Sequence, residues 1–215
     1  MESVLDRVIK QNTENVNLLK TKDYNIFSVL QIQSKEVLIC RMIADLLNPR
    51  GQHGAGAEYL KIFLRDCLGM EKMDTKLADQ AIVTAEYAID DERRIDIVIE
   101  IGSYFLPIEV KIYAADQKSQ CFDYYQYAKR RDAQAKVYYL TLDGHRPGKD
   151  STSSGSQSVP EEDIVCLSFR VHILNWLKAC KNCGNTGMIP ILEQFIHNIH
   201  QISGYTNEKV RNMVI

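Results

Sequence analysis

The run of residues 94–111 constrains the fold of this chain more than any other segment. Apolar residues recur at every second position in each half of the run, and this is the period of a β-strand. The two apolar rows are the isoleucines at 95, 97, 99 and 101, and Leu106, Ile108, Val110 and Ile112. Gly102-Ser103 lies between them and suits a two-residue type II′ turn, which takes glycine first. The run therefore predicts a β-hairpin with both apolar rows on one face.

The predicted turn fixes the register and brings two acids together. With Ile101 opposite residue 104, Asp96 lies opposite Glu109 on the polar face, and Lys111 projects to the same side. Like charges that face each other across two strands are destabilising. A divalent cation would offset this repulsion, because Mg²⁺ takes one or two protein carboxylates and keeps several waters. Lys111 would then hold an attacking water or a phosphate oxygen.

A second interpretation of this face needs no metal. Many antiparallel sheets expose one face to water. Lys111 and Arg94 would then simply neutralise the acids of a solvated surface. Periodicity alone favours this second interpretation.

Two further acids are predicted near the pair. Glu86 belongs to a strand predicted at 81–89, where Val83, Ala85, Tyr87 and Ile89 would share one face. It would lie opposite Asp96 and add a third acid if the connecting turn is three or five residues long. Glu36 lies in the first turn of a predicted helix, where an acid also interacts favourably with the helix dipole.

Three polar residues elsewhere have both an ordinary and a functional interpretation. Gln120 and Tyr124 are four residues apart and are neighbours on one helical face. An ordinary amphipathic helix explains them equally well. His53, between flexible glycines, is either a proton carrier or the residue that organises its loop.

The remaining sequence predicts a single α/β domain over residues 1–215, with its core at about 25–142. Helices are predicted at 1–21, 34–48, 57–69, 116–131, 170–182 and 188–203, and further strands at 136–142 and 163–168. Ser34 is the expected cap of the second helix. Glycine, serine and proline predict a flexible loop at about 143–161, followed by a C-terminal helical extension at about 170–205.

The element order is α-β-β-β-α-β. The helix at 116–131 would cross over and make strand 136–142 parallel to the second hairpin strand. The expected architecture is a mixed central sheet flanked by helices, with extra N- and C-terminal helices.

Bulk properties limit the class of protein. The 215 residues suffice for one well-buried domain. The net charge of −2 does not indicate a dedicated nucleic-acid binder, which is often basic. No apolar run approaches the roughly 20 residues of a membrane span, and the N-terminus lacks signal-peptide features. We therefore expect a cytoplasmic protein that does not contact a membrane. Its six cysteines are expected to be reduced, and Cys180 and Cys183 have no recognised zinc partners.

Several stretches together resemble one bacterial, stand-alone branch of the PD-(D/E)xK nuclease superfamily. Asp96 followed by Glu109-Val-Lys111 resembles the signature of that superfamily. The stretches at 25–30, 34–49 and 53–56 resemble the opening of the branch. Asp116-Gln117 and the helix from Gln120 to Tyr124 are similar to the Gln-x-x-x-Tyr helix of recombination-repair-type nucleases. These matches stand in the family's order over residues 25–142.

The resemblance implies a restriction-endonuclease-like fold and a metal-dependent nuclease that hydrolyses phosphodiester bonds, with DNA as the expected substrate. It implies that Asp96, Glu109 and the Val110 carbonyl hold Mg²⁺, or Mn²⁺, while Lys111 orients the attacking water. Glu36 would complete the site.

The resemblance also concerns the surroundings of the site and the partners. Gln120 and Tyr124 would support the lysine and contact the substrate backbone. Because one site cuts one strand, a homodimer is a possible partner arrangement, and defence against foreign DNA is a possible role. The alternative is a catalytically inactive module that keeps the fold and binds nucleic acid or protein.

Overall fold

A computed structural model describes residues 24–204, except residues 72 and 184. The helix predicted at 1–21 lies outside the described residues. The strands are β1 (Ile82–Ala88), β2 (Arg94–Ile101), β3 (Tyr104–Lys111), β4 (Val137–Thr141), β5 (Ser153–Ser154), β6 (Gln157–Ser158) and β7 (Ile164–Ser168). Five of them form one sheet in the order β1-β2-β3-β4-β7, and β5 and β6 form a small ribbon.

The helices surround this sheet. They are α1 (Ile26–Val29), α2 (Glu36–Leu47), α3 (Glu58–Asp66), α4 (Thr75–Ala78), α5 (Gln120–Arg131), α6 (Lys149–Thr152), α7 (Leu174–Cys180) and α8 (Ile189–Ile202). A π-helical turn at Phe169–Ile173 leads into α7. Ser34 does not cap α2: the N-cap residue is Lys35, whose side chain makes no capping bond. No helix in the described part of the chain combines the length and the apolar character needed to cross a membrane.

The predicted hairpin register is confirmed. Ile97 pairs with Ile108 and Ile101 with Tyr104. Gly102 has φ +56°, as the first position of the predicted turn requires. The predicted crossover is also confirmed, since β3 and β4 are parallel, and β7 extends the sheet parallel to β4. The architecture is the predicted mixed α/β sheet between helices, consistent with a restriction-endonuclease-like fold.

Both faces of the sheet are buried, and the solvated-face interpretation is therefore wrong. One face packs into a large core with α2, α3, α7 and α8, which contains Ile97 and Ile108. The other face packs against α5, and Val98 and Phe105 are buried there beside Tyr124. The crossover helix covers this second face because it must return along the sheet to start a parallel strand.

One predicted face is not continuous. Val83 and Ala85 pack against the large core as expected. Tyr87 and Ile89 pack against the α5 core instead, on the opposite side of the sheet. The cause lies at Glu86, whose φ is +55°, because a left-handed residue interrupts the alternation of an extended strand.

The segment predicted as a loop at 143–161 contains α6 and the ribbon of β5 and β6. It is fastened to the start of α5. The N–H of Ser119 donates to the Asp150 carbonyl at 2.7 Å, and the N–H of Cys121 donates to the buried Ser151 hydroxyl at 3.3 Å. Glycine, serine and proline predicted a flexible loop here and gave no sign of these elements, because the long-range hydrogen bonds have no local sequence signal.

Candidate active site

Asp96 and Glu109 meet where the ladder between β2 and β3 ends. The last regular pair is Ile97 with Ile108. One residue beyond it, Asp96 Oδ2 accepts a hydrogen bond from the Val110 N–H at 2.8 Å. The Asp96 side chain thus takes a β3 amide beyond the last ladder pair, and its carboxylate is fixed beside Glu109.

Glu109 is the most deeply buried acid of the site, with only 1% of its surface exposed. Its Oε1 lies 2.6 Å from Lys111 Nζ. Its Oε2 is buried and has no hydrogen-bond partner. Burial first, and the charge of Asp96 second, raise the pKa of Glu109 well above its ordinary value, although Lys111 acts in the opposite direction.

Asp96 and Glu109 are both largely buried, and their carboxyl groups lie close together. Burial raises the pKa of Asp96 too, against the lowering effects of the Val110 N–H and Lys111. The carboxyl groups are close enough for one to hydrogen-bond the other when one is protonated. Two ionised carboxylates only accept hydrogen bonds, so a shared proton, or a cation in addition to Lys111, would relieve the repulsion between them.

Lys111 supplies one positive charge to this cluster. Burial would lower its pKa, but Glu109, Asp96 and Glu36 together raise it. The amine therefore stays protonated at neutral pH. Its single charge can offset only part of the repulsion between the neighbouring acids when they are ionised.

Glu36 lies at the same site, as predicted. Its Oε2 accepts a hydrogen bond from the Ile112 N–H at 2.6 Å, next to Lys111. It also acts electrostatically on both Asp96 and Lys111. This position in the first turn of α2 is compatible both with an interaction with the helix dipole and with a role in the site.

Gln120 and Tyr124 brace the strand that carries Asp96. Gln120 Nε2 donates to the Tyr124 hydroxyl at 3.1 Å, and this hydroxyl donates to the Arg94 carbonyl at 2.5 Å. Both side chains are buried. They fix β2 two residues before Asp96 and do not form an open surface for a substrate.

Glu86 lies across from Asp96 in the predicted register, but its side chain has another partner. Its Oε2 accepts hydrogen bonds from Arg41 Nη2 at 2.6 Å and Nε at 3.0 Å. The side chain is therefore turned to α2 and does not join Asp96 and Glu109 as a third acid. Arg41 carried no sequence signal, because its partner lies on a distant strand.

His53 organises its loop. Its Nδ1 accepts from the Ala55 N–H at 3.1 Å, so Nε2 carries the proton and donates to the Asn48 carbonyl at 2.9 Å. The ring is buried and stacks on Tyr59. Both ring nitrogens are occupied, which favours the loop-organising interpretation over a proton carrier.

Tyr139, on the strand next to Glu109, is a polar residue near the site that sequence patterns did not identify. Tyr139 is paired with Glu109 across the parallel strands. Its hydroxyl donates to Asp116 Oδ1 at 2.7 Å, and the Gly148 N–H donates to Asp116 Oδ2 at 2.7 Å. Only the register of β3 and β4, which no local pattern fixes, could have placed Tyr139 beside the site.

The donor set fits a magnesium-type site with few protein ligands. Among the described residues, no group of three or more His, Cys, Asp or Glu side chains is arranged to hold a metal ion. Two carboxylates, Asp96 and Glu109, with the Val110 carbonyl, are the available oxygen donors. Mg²⁺ is commonly bound by one or two carboxylates and keeps several waters. The orphaned Glu109 Oε2 is an oxygen that such an ion would satisfy.

A family model described as the PD-(D/E)XK nuclease superfamily matches residues 24–197. No curated protein and no solved structure matches the chain. The matched range contains every acid of the site and Lys111.

Proposed function

The chain belongs to the PD-(D/E)XK nuclease superfamily, and from this premise we propose that it is a metal-dependent nuclease that hydrolyses phosphodiester bonds in DNA. The single observation that carries the proposal is the buried Glu109 Oε2, which lacks a hydrogen-bond partner. It lies in a cluster with Asp96, and Lys111 contacts the other oxygen of the same carboxylate. Such an arrangement is costly for stability and useful for binding a divalent cation.

The proposed roles follow from the positions of the side chains. Asp96 and Glu109, with the Val110 carbonyl, would hold Mg²⁺, and Mn²⁺ would serve as well. Such an ion, when bound, supplies an acidified water and a positive charge for the phosphate.

The remaining steps belong to the side chains around this ion. Lys111 would orient the attacking water and stabilise the negative charge that develops on the phosphate. Glu36, in the first turn of α2, would help to position Lys111 and the attacking water. Gln120 and Tyr124 would keep β2 in place behind Asp96.

A nuclease assay tests the proposal. Purified protein is incubated with circular and linear DNA, single- and double-stranded, and with RNA, in Mg²⁺, Mn²⁺ or EDTA. We expect cleavage that requires the metal and that falls by at least about 100-fold in Lys111→Ala, the size typical of losing one transition-state charge contact. Lys118→Ala, an exposed lysine in the following loop, is the matched control and should retain activity. Equal cleavage by Lys111→Ala and the wild type would refute these roles.

A catalytically inactive binding module is the second candidate. The net charge of −2 favours it, since phosphate binding usually draws on an excess of positive charge. The expected distinction is simple: such a module would bind nucleic acid or protein in an electrophoretic mobility or pull-down assay, without any metal-dependent cleavage.

We also propose a homodimer as the form that cuts both strands, since one site cuts one strand. Exposed apolar side chains on α1, α2 and α8, among them Val29, Leu38 and Ile191, support an interface on that side. Light scattering after size-exclusion chromatography is expected to give twice the chain mass of 24.6 kDa. A monomer that linearises circular DNA in one encounter would contradict this arrangement.

A further inference from the structure

Glu86 has an unusual backbone for a strand residue. Its φ is +55°, in the left-handed region that side chains other than glycine rarely adopt. Two other non-glycine residues with positive φ in the described chain, Gln31 and Ser119, lie outside the strands. Strained backbone of this kind persists when the surroundings enforce it, and it is enriched at functional sites.

The ladder between β1 and β2 is interrupted at this residue. Ala85 pairs with Ile97, and Tyr87 pairs with Ile95, but the intervening Glu86 and Asp96 are not paired. The register is the same before and after the interruption. The site acid Asp96 is therefore the residue directly across from the strained one.

Both strands exchange their faces at this point. In β1, Ala85 packs against the large core and Tyr87 against the α5 core. In β2, Ile97 belongs to the large core and Ile95 to the α5 core. A regular strand would have kept each of these pairs on a single side, so both strands reverse at the same level, and in β1 the residue at that level is the left-handed Glu86.

Arg41 holds Glu86 in place from α2. Its Nε and Nη2 both donate to Glu86 Oε2, while 58% of the Arg41 side chain and 30% of the Glu86 side chain remain exposed. An ion pair this exposed contributes little to stability. The contact is therefore better suited to orienting Glu86 than to holding the fold together.

The interruption has a direct consequence at the site. Because Asp96 is released from β1, its side chain is available to accept the Val110 N–H of β3. That hydrogen bond turns the carboxylate towards Glu109 on the neighbouring strand. A continuous β1–β2 ladder would instead hold Asp96 in the ordinary alternation of β2.

We propose that Glu86 is a positioning residue for Asp96: its left-handed backbone, held by Arg41, interrupts the ladder and directs the Asp96 carboxylate to Glu109. The inference rests on the proposed function only in taking Asp96 as a metal ligand. Glu86 acts through its backbone conformation, and its carboxylate is not a ligand.

Substitutions of Glu86 separate the role of its backbone from that of its carboxylate. Glu86→Gly removes the carboxylate but readily adopts positive φ. Glu86→Val removes it and opposes positive φ, because its side chain is β-branched. Thr84→Val, two residues earlier in the regular ladder opposite Val98, is the matched control. The readouts are the Mn²⁺ dissociation constant by calorimetry and, in metal-free protein, the exchange rate of the Val110 amide hydrogen by NMR.

The proposal predicts that Glu86→Gly and Thr84→Val keep both values within about threefold of the wild type. Glu86→Val is expected to weaken Mn²⁺ binding by about 10–100-fold, as loss of a supporting residue commonly does, and to speed Val110 exchange at least about tenfold. Should Glu86→Val fail to fold, Glu86→Thr replaces it, with a loss in the same direction, because threonine is also β-branched.

Two results would overturn the proposal. Equal loss of Mn²⁺ affinity in Glu86→Gly and Glu86→Val would mean that the carboxylate itself is required. Unchanged Val110 exchange in folded Glu86→Val, or in folded Glu86→Thr if that variant replaces it, would mean that the backbone of Glu86 does not position Asp96. If the wild type binds no Mn²⁺, the proposed function fails, whereas the amide exchange still decides the positioning role.

Discussion

At the scale of single residues, the site is a balance between buried acids and one lysine. Glu109 has one oxygen on Lys111 and one without a partner. Its raised pKa means that the folded protein holds a proton on this group more tightly than the unfolded chain does. The ionised carboxylate therefore costs stability in metal-free protein, despite the contact with Lys111.

Replacing Glu109 by glutamine is expected to stabilise the metal-free protein. As pH rises above the ordinary glutamate value of 4.5, the unfolded chain ionises first, and the wild type loses stability until the folded protein ionises as well. Glu109→Gln avoids this loss. Thermal unfolding in EDTA should show a higher Tm for the variant at pH 7 and no difference at about pH 4. Each kcal/mol of added free energy of unfolding should raise Tm by about 2–4 °C.

The matched control is Glu100→Gln on the neighbouring strand. Glu100 is partly exposed and paired with Arg131, so its neutralisation should leave Tm nearly unchanged at either pH. A lower Tm for Glu109→Gln at pH 7 would show that the contact with Lys111 outweighs burial and the charge of Asp96.

At the scale of secondary-structure elements, α5 supports the site from behind the sheet. Tyr124 connects the helix to the Arg94 carbonyl, and Gln120 completes the same chain of hydrogen bonds. Arg93, the residue before β2, also donates hydrogen bonds to this side: to Asp123 of α5 and to Gln117 and Lys118 of the preceding loop. The first residues of β2 are thus fixed to α5 and to the loop before it.

Removing the Tyr124 hydroxyl should loosen this support. Tyr124→Phe leaves the Arg94 carbonyl without this donor and the buried Gln120 without its acceptor, which typically costs about 1–3 kcal/mol. We expect a lower free energy of unfolding in urea and weaker Mn²⁺ binding. Tyr104→Phe, at an exposed tyrosine in β3, is the control and should change neither. If Tyr124→Phe matches the control in both measurements, the hydrogen bonds of the Tyr124 hydroxyl do not support the site.

Local patterns predicted the elements well and their long-range contacts poorly. The alternation in 94–111 and the turn at Gly102 fixed the register that brings Asp96 near Glu109. Alternation also predicted one continuous face for β1, which Glu86 interrupts. The reason is physical: alternation records burial of side chains, whereas a left-handed backbone at a non-glycine residue leaves no mark in the alternation, and the Arg41 that contacts Glu86 is distant in sequence.

At the scale of the whole molecule, the sheet brings the site together from separate parts of the chain. Helix α2 contributes Glu36, β2 contributes Asp96, and β3 contributes Glu109 and Lys111. The predicted loop at 143–161 is tied to the start of α5. The order of elements was predictable from the sequence. The hydrogen bonds that hold this segment against α5 were not, because they join residues that are distant in sequence.

A bound metal should stabilise the molecule as a whole. An ion that binds only the folded state adds about 2.7 kcal/mol at 100 times its dissociation constant. Differential scanning fluorimetry is expected to show a rise in Tm with Mn²⁺ that EDTA reverses, and a much smaller rise in Asp96→Asn. A similar rise in both proteins would indicate that the ion binds elsewhere.

The central claim is that Asp96 and Glu109 together hold a divalent cation, and calorimetric titration with Mn²⁺ tests it most directly. The account predicts saturable binding to the wild type and its loss in Asp96→Asn, whereas Glu100→Gln should bind like the wild type. Absence of binding to the wild type, or equal binding to Asp96→Asn, would contradict it.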